Sequence, residues 1–374
     1  MDWRLITDDG VSASFGLSAD EVMAERVGAG VSVPTLRLYT YRSYCALVGR
    51  FQNIKNELRI DFCHENHIPI NRRPTGGGAI IMGEDQLGIA LSMPAQEGDT
   101  YSRAREIMTL FSDGIVRGLK SLGVDAHFHR KNDIVVNGKK IVGLGIHRAP
   151  SNGLLFHASV LVDLDVPFML RVLNTPFEKI SDKEIATITE RITNVRRETN
   201  SRVTLDEVRK IIAREYETSL NIHLVPGDFT PEERQDIDRL EKEKYLSDDW
   251  IYQTSSIEDT YGGSKIKTPV GLIDVRVSMA GAMIKAAFIG GDFFASEAAV
   301  ADLEGALKWH SGQPEKVAAA LEEVYMRRRE EFNSLPLEFI VQAVQKAVVR
   351  ALALEILEDG GPHSQEVNAG EKHD

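Results

Sequence analysis

Residues 72–80 read Arg72-Arg73-Pro74-Thr75-Gly76-Gly77-Gly78-Ala79-Ile80. Three consecutive glycines lose more backbone entropy on folding than other residues would, and an ordinary turn does not require them. What they offer is close approach: the N–H groups of a glycine turn, flanked by guanidinium groups, suit a carboxylate or a phosphate. The bland alternative is a wide hairpin turn. Ile68 to Arg73 alternates apolar and polar residues, and Ala79 to Met93 is strand-like with a polar break at Gly83 to Gln86, so the loop joins elements of a sheet.

Upstream, Thr35 to Thr40 alternates in the same way. Ser18 and Glu21 form a capping box, with Leu17 and Val22 at its staple positions, for a first helix ending near Gly28. Downstream, Ile107, Phe111, Ile115, Leu119 and Leu122 recur at helical spacing and stop at Gly123. Val135-Val136-Asn137-Gly138 leads into a two-residue type I′ hairpin turn from which Ile141 and Val142 return, and Leu154 to Val162 supplies another strand. Thr204 with Glu207, and Thr230 with Glu233 behind Pro231, announce two more helices, the second charged enough to be exposed. Strands at Gly271 to Val277 and Met283 to Ile289, then helical runs at 296–309, 314–332 and 336–358, describe a second, smaller α+β unit. The expected class is α+β: a large domain over 1–230, a helical linker over 231–250, the small domain over 251–358 and a disordered tail over 359–374.

The chain has 374 residues, 43% hydrophobic and 27% charged, enough for one large core and a smaller second one. Its net charge of −12 argues against a nonspecific nucleic-acid or anionic-membrane binder. Cys45 and Cys63 are too few for a disulfide framework and have no zinc-ligand spacing. MDWRLITDDG is not a signal peptide, and no apolar run reaches bilayer length. A cytoplasmic protein, monomeric by default, is expected.

A second constellation is Asn132-Asp133-Ile134-Val135-Val136-Asn137-Gly138-Lys139-Lys140-Ile141-Val142-Gly143-Leu144-Gly145. A lysine after the turn, followed by Gly-x-Gly, places an ammonium group beside backbone that a ligand can approach, although a Lys-Lys pair there is more often a solvated hairpin tip. There is no third glycine of a dinucleotide fingerprint and no GxxxxGK[ST], so any nucleotide is held without a P-loop. His64-Glu65-Asn66-His67 lacks HExxH spacing and reads as a polar helix end. His127 and His129 share a strand face without a third ligand. Arg327-Arg328-Arg329, followed by Glu330 and Glu331, reads as a solvated helix face.

Together these stretches resemble the biotin/lipoate protein ligase superfamily, and specifically lipoate-protein ligases. RRPTGGGAI (72–80) matches the family signature of an arginine pair, a Ser or Thr and three glycines. DWRL (2–5), Asp20-Glu21, PTLRLY (34–39), GRFQN (49–53), NDIVVNGKKIVG (132–143) and RITNV (191–195) follow in family order. VGLIDVRV (270–277) and IGGDFF (289–294) resemble the accessory carboxy-terminal domain. The resemblance implies a large mixed-sheet catalytic domain that activates lipoate, or octanoate, with ATP and Mg²⁺ and transfers the acyl group to a lysine of a lipoyl-domain acceptor. It implies that Lys140 contacts the activated carboxylate and phosphate, and that Arg73, Gly76, Gly77, Gly78, Ala79, Ile80 and Ile81 enclose the ligands. Asn132 and Asp133 would lie near the nucleotide, Asp133 near Mg²⁺, with Gly143, Gly145 and His157 completing the binding set. Adenylation concentrates negative charge at one phosphorus, which preorganised cations and N–H donors stabilise.

The chain departs from the family at Met82-Gly83, where His-Asp is common, at His157-Ala158-Ser159, where His-Gly precedes a small hydroxyl residue, and at Ile89, a tyrosine-like position. The nearest rival is an octanoyl or lipoyl transferase, which shares the fold and the lysine but uses a cysteine nucleophile and no ATP. Cys45, ahead of a strand, and Cys63, in a helix, read instead as small buried residues. A repressor-type biotin ligase lacks support, since no helix-turn-helix segment precedes Trp3. A non-catalytic lipoate-binding homologue is the third alternative.

Overall fold

The computed structural model describes residues 1–95, 100–101, 103–129, 132–174, 190–200, 203–253, 261–333 and 335–359. Eleven strands build the first unit: β1 (Asp2–Val11), β2 (Thr35–Tyr41), β3 (Cys45–Val48), β4 (Ile70–Arg72), β5 (Ile80–Met82), β6 (Gln86–Pro94), β7 (His127–His129), β8 (Asp133–Val136), β9 (Lys139–Arg148), β10 (Gly153–Leu161) and β11 (His223–Pro226). Eight of them form one mixed sheet in the order β11-β1-β2-β6-β10-β9-β8-β7, while β4-β3-β5 make a small second sheet. The fold is α+β around this large mixed sheet.

Each sheet face is covered by a helical layer. Helix Ala104–Ser121 buries Met108, Phe111, Ile115 and Leu119 in the main core, the spacing read from the sequence, and terminates at Gly123, whose φ is +81°. Helix Ala13–Gly28 lies on the opposite face. It starts earlier than the capping-box reading implies, at Ser12 and not Ser18: Ser12 is the N-cap and accepts from the Phe15 N–H. Ser18 is instead buried mid-helix, its hydroxyl donating to the Ser14 carbonyl, so the Ser-x-x-Glu pattern was a coincidence of spacing. Thr204 with Glu207, and Thr230 with Glu233, do form capping boxes.

The charged helix Pro231–Leu240 is exposed over much of its surface, but Ile237 and Glu233 are buried against the first unit. Both Glu233 carboxylate oxygens accept from Arg4, at 2.7 and 2.8 Å, and Ser32 donates to one at 2.6 Å. Arg4 and Ser32, remote in sequence, are what make this glutamate's burial tolerable.

The smaller unit is a four-stranded antiparallel sheet, β12 (Tyr261–Thr268), β13 (Gly271–Ala280), β14 (Met283–Gly291) and β15 (His310–Ser311), packed on helices Glu297–Leu307, Pro314–Arg327 and Leu337–Asp359. The sequence reading missed β12, whose Gly262-Gly263 and charged residues hide its alternation. The expected tail lies outside the described residues from position 360 onward; Asp359 closes the last helix. Among the described residues no helix is long and apolar enough to cross a membrane.

Candidate functional site

The turn between β8 and β9 fixes one end of the site. Asn137 and Gly138 have φ of +49° and +78°, the positive pair a type I′ turn demands. A register shift between Ile134 and Val135 then pairs Val135 with Lys140. Lys140 is held on its other side by Arg191–Thr193: its N–H donates to the Arg191 carbonyl at 2.8 Å and its own carbonyl accepts from the Thr193 N–H at 2.9 Å. Its ammonium lies 2.8 Å from Asp133 Oδ1. The lysine is therefore positioned from three directions, unlike a solvated hairpin tip.

The glycine loop leaves β4 after Arg72. Arg73 is buried, and its guanidinium holds the loop's shape, donating to the carbonyls of Leu47 at 3.1 Å, Gly76 at 3.1 Å and Gly78 at 2.6 Å. Burial pushes this guanidinium down to about 10, still protonated at neutral pH. Only Gly78 opens to free space: a Cβ there would meet nothing within 4 Å. Gly77, at φ +97°, has Arg73 Nη2 3.1 Å from where its Cβ would be, and a Cβ on Gly76 would be 2.3 Å from the Phe293 carbonyl oxygen.

Thr75 ties the loop to the large sheet through a 2.9 Å hydrogen bond between its hydroxyl and His157 Nε2. His157 pairs across β10 and β9 with Gly145, where a Cβ would sit 2.3 Å from Nε2; glycine makes room for the imidazole. Burial, with Arg73 and His147 nearby, drives His157 down to about 3, so the ring is neutral at physiological pH.

Between the loop and β9 runs a narrow cavity of about 90 Å³. Arg73, Gly78, Ala79, Ile80, Asn132, Lys140, Gly143 and His157, all named from the sequence, line it. Gly76, Gly77, Gly145 and Asp133 lie behind that lining, Asp133 one ion pair from the cavity through Lys140. Ile81 departs from expectation: alternation along β5 buries it among Ala46, Val48 and Cys63. Asn132 turns its amide onto the Leu144 carbonyl at 3.0 Å, bracing β9. Reading the sequence missed Leu17, Tyr39, Tyr41 and Leu47 of the far wall, together with Leu144; Met82, Ala158 and Ser159, noted there as departures from the family pattern, line the cavity too. Tyr39 donates to Asp20, which also accepts from buried Arg37 at 2.8 Å, so the PTLRLY and Asp20-Glu21 stretches meet beneath the cavity. One end is thus polar, at Lys140, Asn132 and Ser159, and the other largely apolar: a shape for a chain ending in a carboxylate.

Among the described residues no group of three or more His, Cys, Asp or Glu could hold a metal ion. His64 lies in the last turn of helix Ile60–Glu65 and shares a hydrogen bond with Tyr252, and His127 and His129 stand on edge strand β7. Mg²⁺ accompanying a nucleotide needs only one or two carboxylates beside the phosphates. Asp133 is the carboxylate at this site, and its Oδ1 has only the Lys140 ion pair and no well-aligned hydrogen bond. Both cysteines are buried and neither lines the cavity: Cys45 opens β3 and packs behind the wall in the cluster that holds Tyr39, Tyr41 and Met82, and Cys63 sits in helix Ile60–Glu65. Burial pushes the Cys45 thiol far up and that of Cys63 to about 11.

Comparison with known proteins adds an independent line. The profile described as Lipoyl protein ligase A/B catalytic domain matches residues 12–217. Octanoyltransferase LipM of Kyrpidia tusciae is 30% identical over 276 residues, covering 67% of this chain and 98% of that protein. Lipoate-protein ligase LplJ of Bacillus subtilis is 27% identical over 282 residues, covering 75% of this chain and 82% of its own. Among solved structures, a bi-partite lipoate protein ligase from Thermoplasma acidophilum superposes with a TM-score of 0.61 at 28% identity, covering 67% of this chain and 96% of that one. P. falciparum LipL1 in complex with lipoate shares the fold over 91% of this chain and all of its own, with a TM-score of 0.68 at 16% identity.

Proposed function

The chain belongs to the lipoyl protein ligase A/B family, enzymes of lipoyl and octanoyl transfer, and from that premise we propose that it is an ATP-dependent lipoate-protein ligase. The observation that carries this reading is the composition of the cavity wall. Lys140 stands at its polar end, and none of the described lining residues is a cysteine. The only two thiols of the chain are buried and neither is among the lining residues: Cys63 lies in a helix of the neighbouring small-sheet core, and Cys45 packs behind the wall against Met82.

In the proposed reaction the acyl chain occupies the apolar end, and its carboxylate lies at Lys140. A carboxylate oxygen attacks the α-phosphorus of ATP, the bond to the bridging oxygen breaks and pyrophosphate leaves. Lys140 stabilises the charge accumulating between carboxylate and phosphate, and the exposed backbone at Gly78 lets the nucleotide approach. A bound Mg²⁺, held by Asp133 and the phosphates, would neutralise phosphate charge. The acceptor's lysine amine then attacks the acyl carbon, releasing AMP and a proton. Neutral His157 acts through Thr75, holding the loop rather than carrying a proton. The acceptor is a lipoyl-domain protein, lipoate or octanoate is the acid, and the setting is the cytoplasm.

The second reading, an ATP-independent octanoyltransferase, is favoured by the LipM relatives, which this chain covers nearly end to end. Purified protein incubated with free lipoate and Mg-ATP, with no acceptor, separates the two. Lipoyl-AMP detected by mass spectrometry supports the ligase. Acylation of a lipoyl domain from an acyl-carrier thioester without ATP, and no adenylate, overturns it.

A further inference from the structure

The glycine loop has a second wall, and it comes from the smaller domain. The segment after β14 runs Gly290-Gly291-Asp292-Phe293-Phe294. Its Gly291 N–H donates to the Phe51 carbonyl at 2.8 Å, and the Phe293 ring stacks on Phe51 at 5.2 Å and 12°. The Phe293 carbonyl occupies the space a side chain on Gly76 would need. Phe294 leaves its own domain: it is 5% exposed and belongs to the hydrophobic core of the large sheet. A methyl group built on Gly77 would stand 3.5 Å from its Cζ, so its ring lies directly behind the loop.

From this contact we propose that Phe294, with the Phe293 carbonyl, is a positioning element of the active site: the accessory domain supplies the rigid wall against which the glycine loop adopts its ligand-binding shape. Arg73 gathers the loop's carbonyls at Gly76 and Gly78. Phe294 stands beside that guanidinium against the same face of Gly77. A loop held by both keeps its N–H groups oriented before ligand arrives, and a displacement of about 1 Å at such donors can lower a rate by about 100-fold. The inference rests on the reading of the loop as the ligand enclosure.

The test is Phe294→Leu, which keeps an apolar side chain but removes the flat ring. Phe332→Leu serves as comparator, a buried aromatic of the same domain that stacks on Tyr325, remote from the loop. Adenylate formation is measured for both, together with amide hydrogen exchange across the chain. Phe294→Leu should lower kcat by about 10-fold or more with KM for lipoate within about three-fold, because the loop is misplaced while the acyl cavity stays intact. Exchange should rise at residues 76–78 and stay unchanged in β6 and β10. Phe332→Leu should leave kcat and loop exchange at wild-type levels. Unchanged loop exchange in Phe294→Leu, or a rise spread evenly over the large domain, would make Phe294 an ordinary core residue and overturn the proposal. If the wild type forms no adenylate, the ligase reading fails by itself, and the exchange pattern still decides whether Phe294 holds the loop.

Discussion

The ammonium of Lys140 lies 2.8 Å from the Asp133 carboxylate across one hairpin. The pair joins the residue proposed to stabilise the acyl-phosphate with the residue proposed to meet the metal, so in the proposed reaction an entering ligand would exchange one partner of Lys140 for another. Because the exchange keeps a charge-assisted bond throughout, little reorganisation is needed when charge develops.

Lys140→Ala should therefore lower adenylate formation by about 10² to 10³, the usual effect of removing one preorganised donor. Lys139, on the same strand but outside the cavity wall, should tolerate alanine within about three-fold, as half-exposed charges do. Steady-state rates of the two variants check this, and equal small losses would mean that the lysines are a solvated tip.

The three glycines should differ. Gly78→Ala adds a methyl into open space with no positive φ to satisfy, so the backbone should accept it. Gly77→Val places a β-branched residue at φ +97°, in a region where L-residues lose at least about 1–2 kcal/mol. Adenylation should be abolished in Gly77→Val with the fold largely kept, measured by rate beside a thermal melt.

The pH dependence follows from His157. Its folded value of about 3 lies below the ordinary value of 6.5, so between those limits the unfolded chain binds a proton that the folded chain does not. Stability then rises with pH through this window, is fully present above about 6.5, and falls as pH drops, by at most about 1.4 kcal/mol per pH unit from this group. Buried His147, also lowered, acts in the same direction. Denaturant titrations from pH 4 to 8 should show a shallower acid slope in His157→Gln than in the wild type.

How much of this was legible in the chain depends on how local the cause is. The Asn137-Gly138 turn, the capping boxes at Thr204 and Thr230 and the periodicity of helix Ala104–Ser121 rest on neighbouring residues, and the sequence displays them. Ser18 shows the limit, because a short polar pattern says nothing about whether a helix has already begun at Ser12. The burial of Glu233 could not be read, since it depends on Arg4 and Ser32 roughly two hundred positions away. The glycine loop identified the site, yet the letters could not show that Arg73, which lines the cavity with Lys140, spends its guanidinium on the carbonyls of its own loop. Tyr39, Tyr41 and Phe294 look like any core aromatics until tertiary packing places them.

Replacing both cysteines, as Cys45→Ala and Cys63→Ala, should leave acyl transfer within about two-fold of wild type when rates are taken below the melting temperature, because the proposed ligase route uses no thiol nucleophile. Some loss of stability is expected, from about 1 kcal/mol upward for buried side chains made smaller. Activity measured at several temperatures separates the two effects, and a complete loss in a folded double variant would restore the thiol route.

The most direct measurement follows an oxygen atom. Lipoate labelled with ¹⁸O in both carboxylate positions is incubated with Mg-ATP, the enzyme and a lipoyl-domain acceptor, and the AMP released is weighed by mass spectrometry. If the carboxylate attacks the α-phosphorus and the acceptor lysine then attacks the acyl carbon, the carbon–oxygen bond breaks and each AMP carries one ¹⁸O. Unlabelled AMP, or acceptor acylated with no AMP formed, would contradict the adenylate route and with it the ligase assignment.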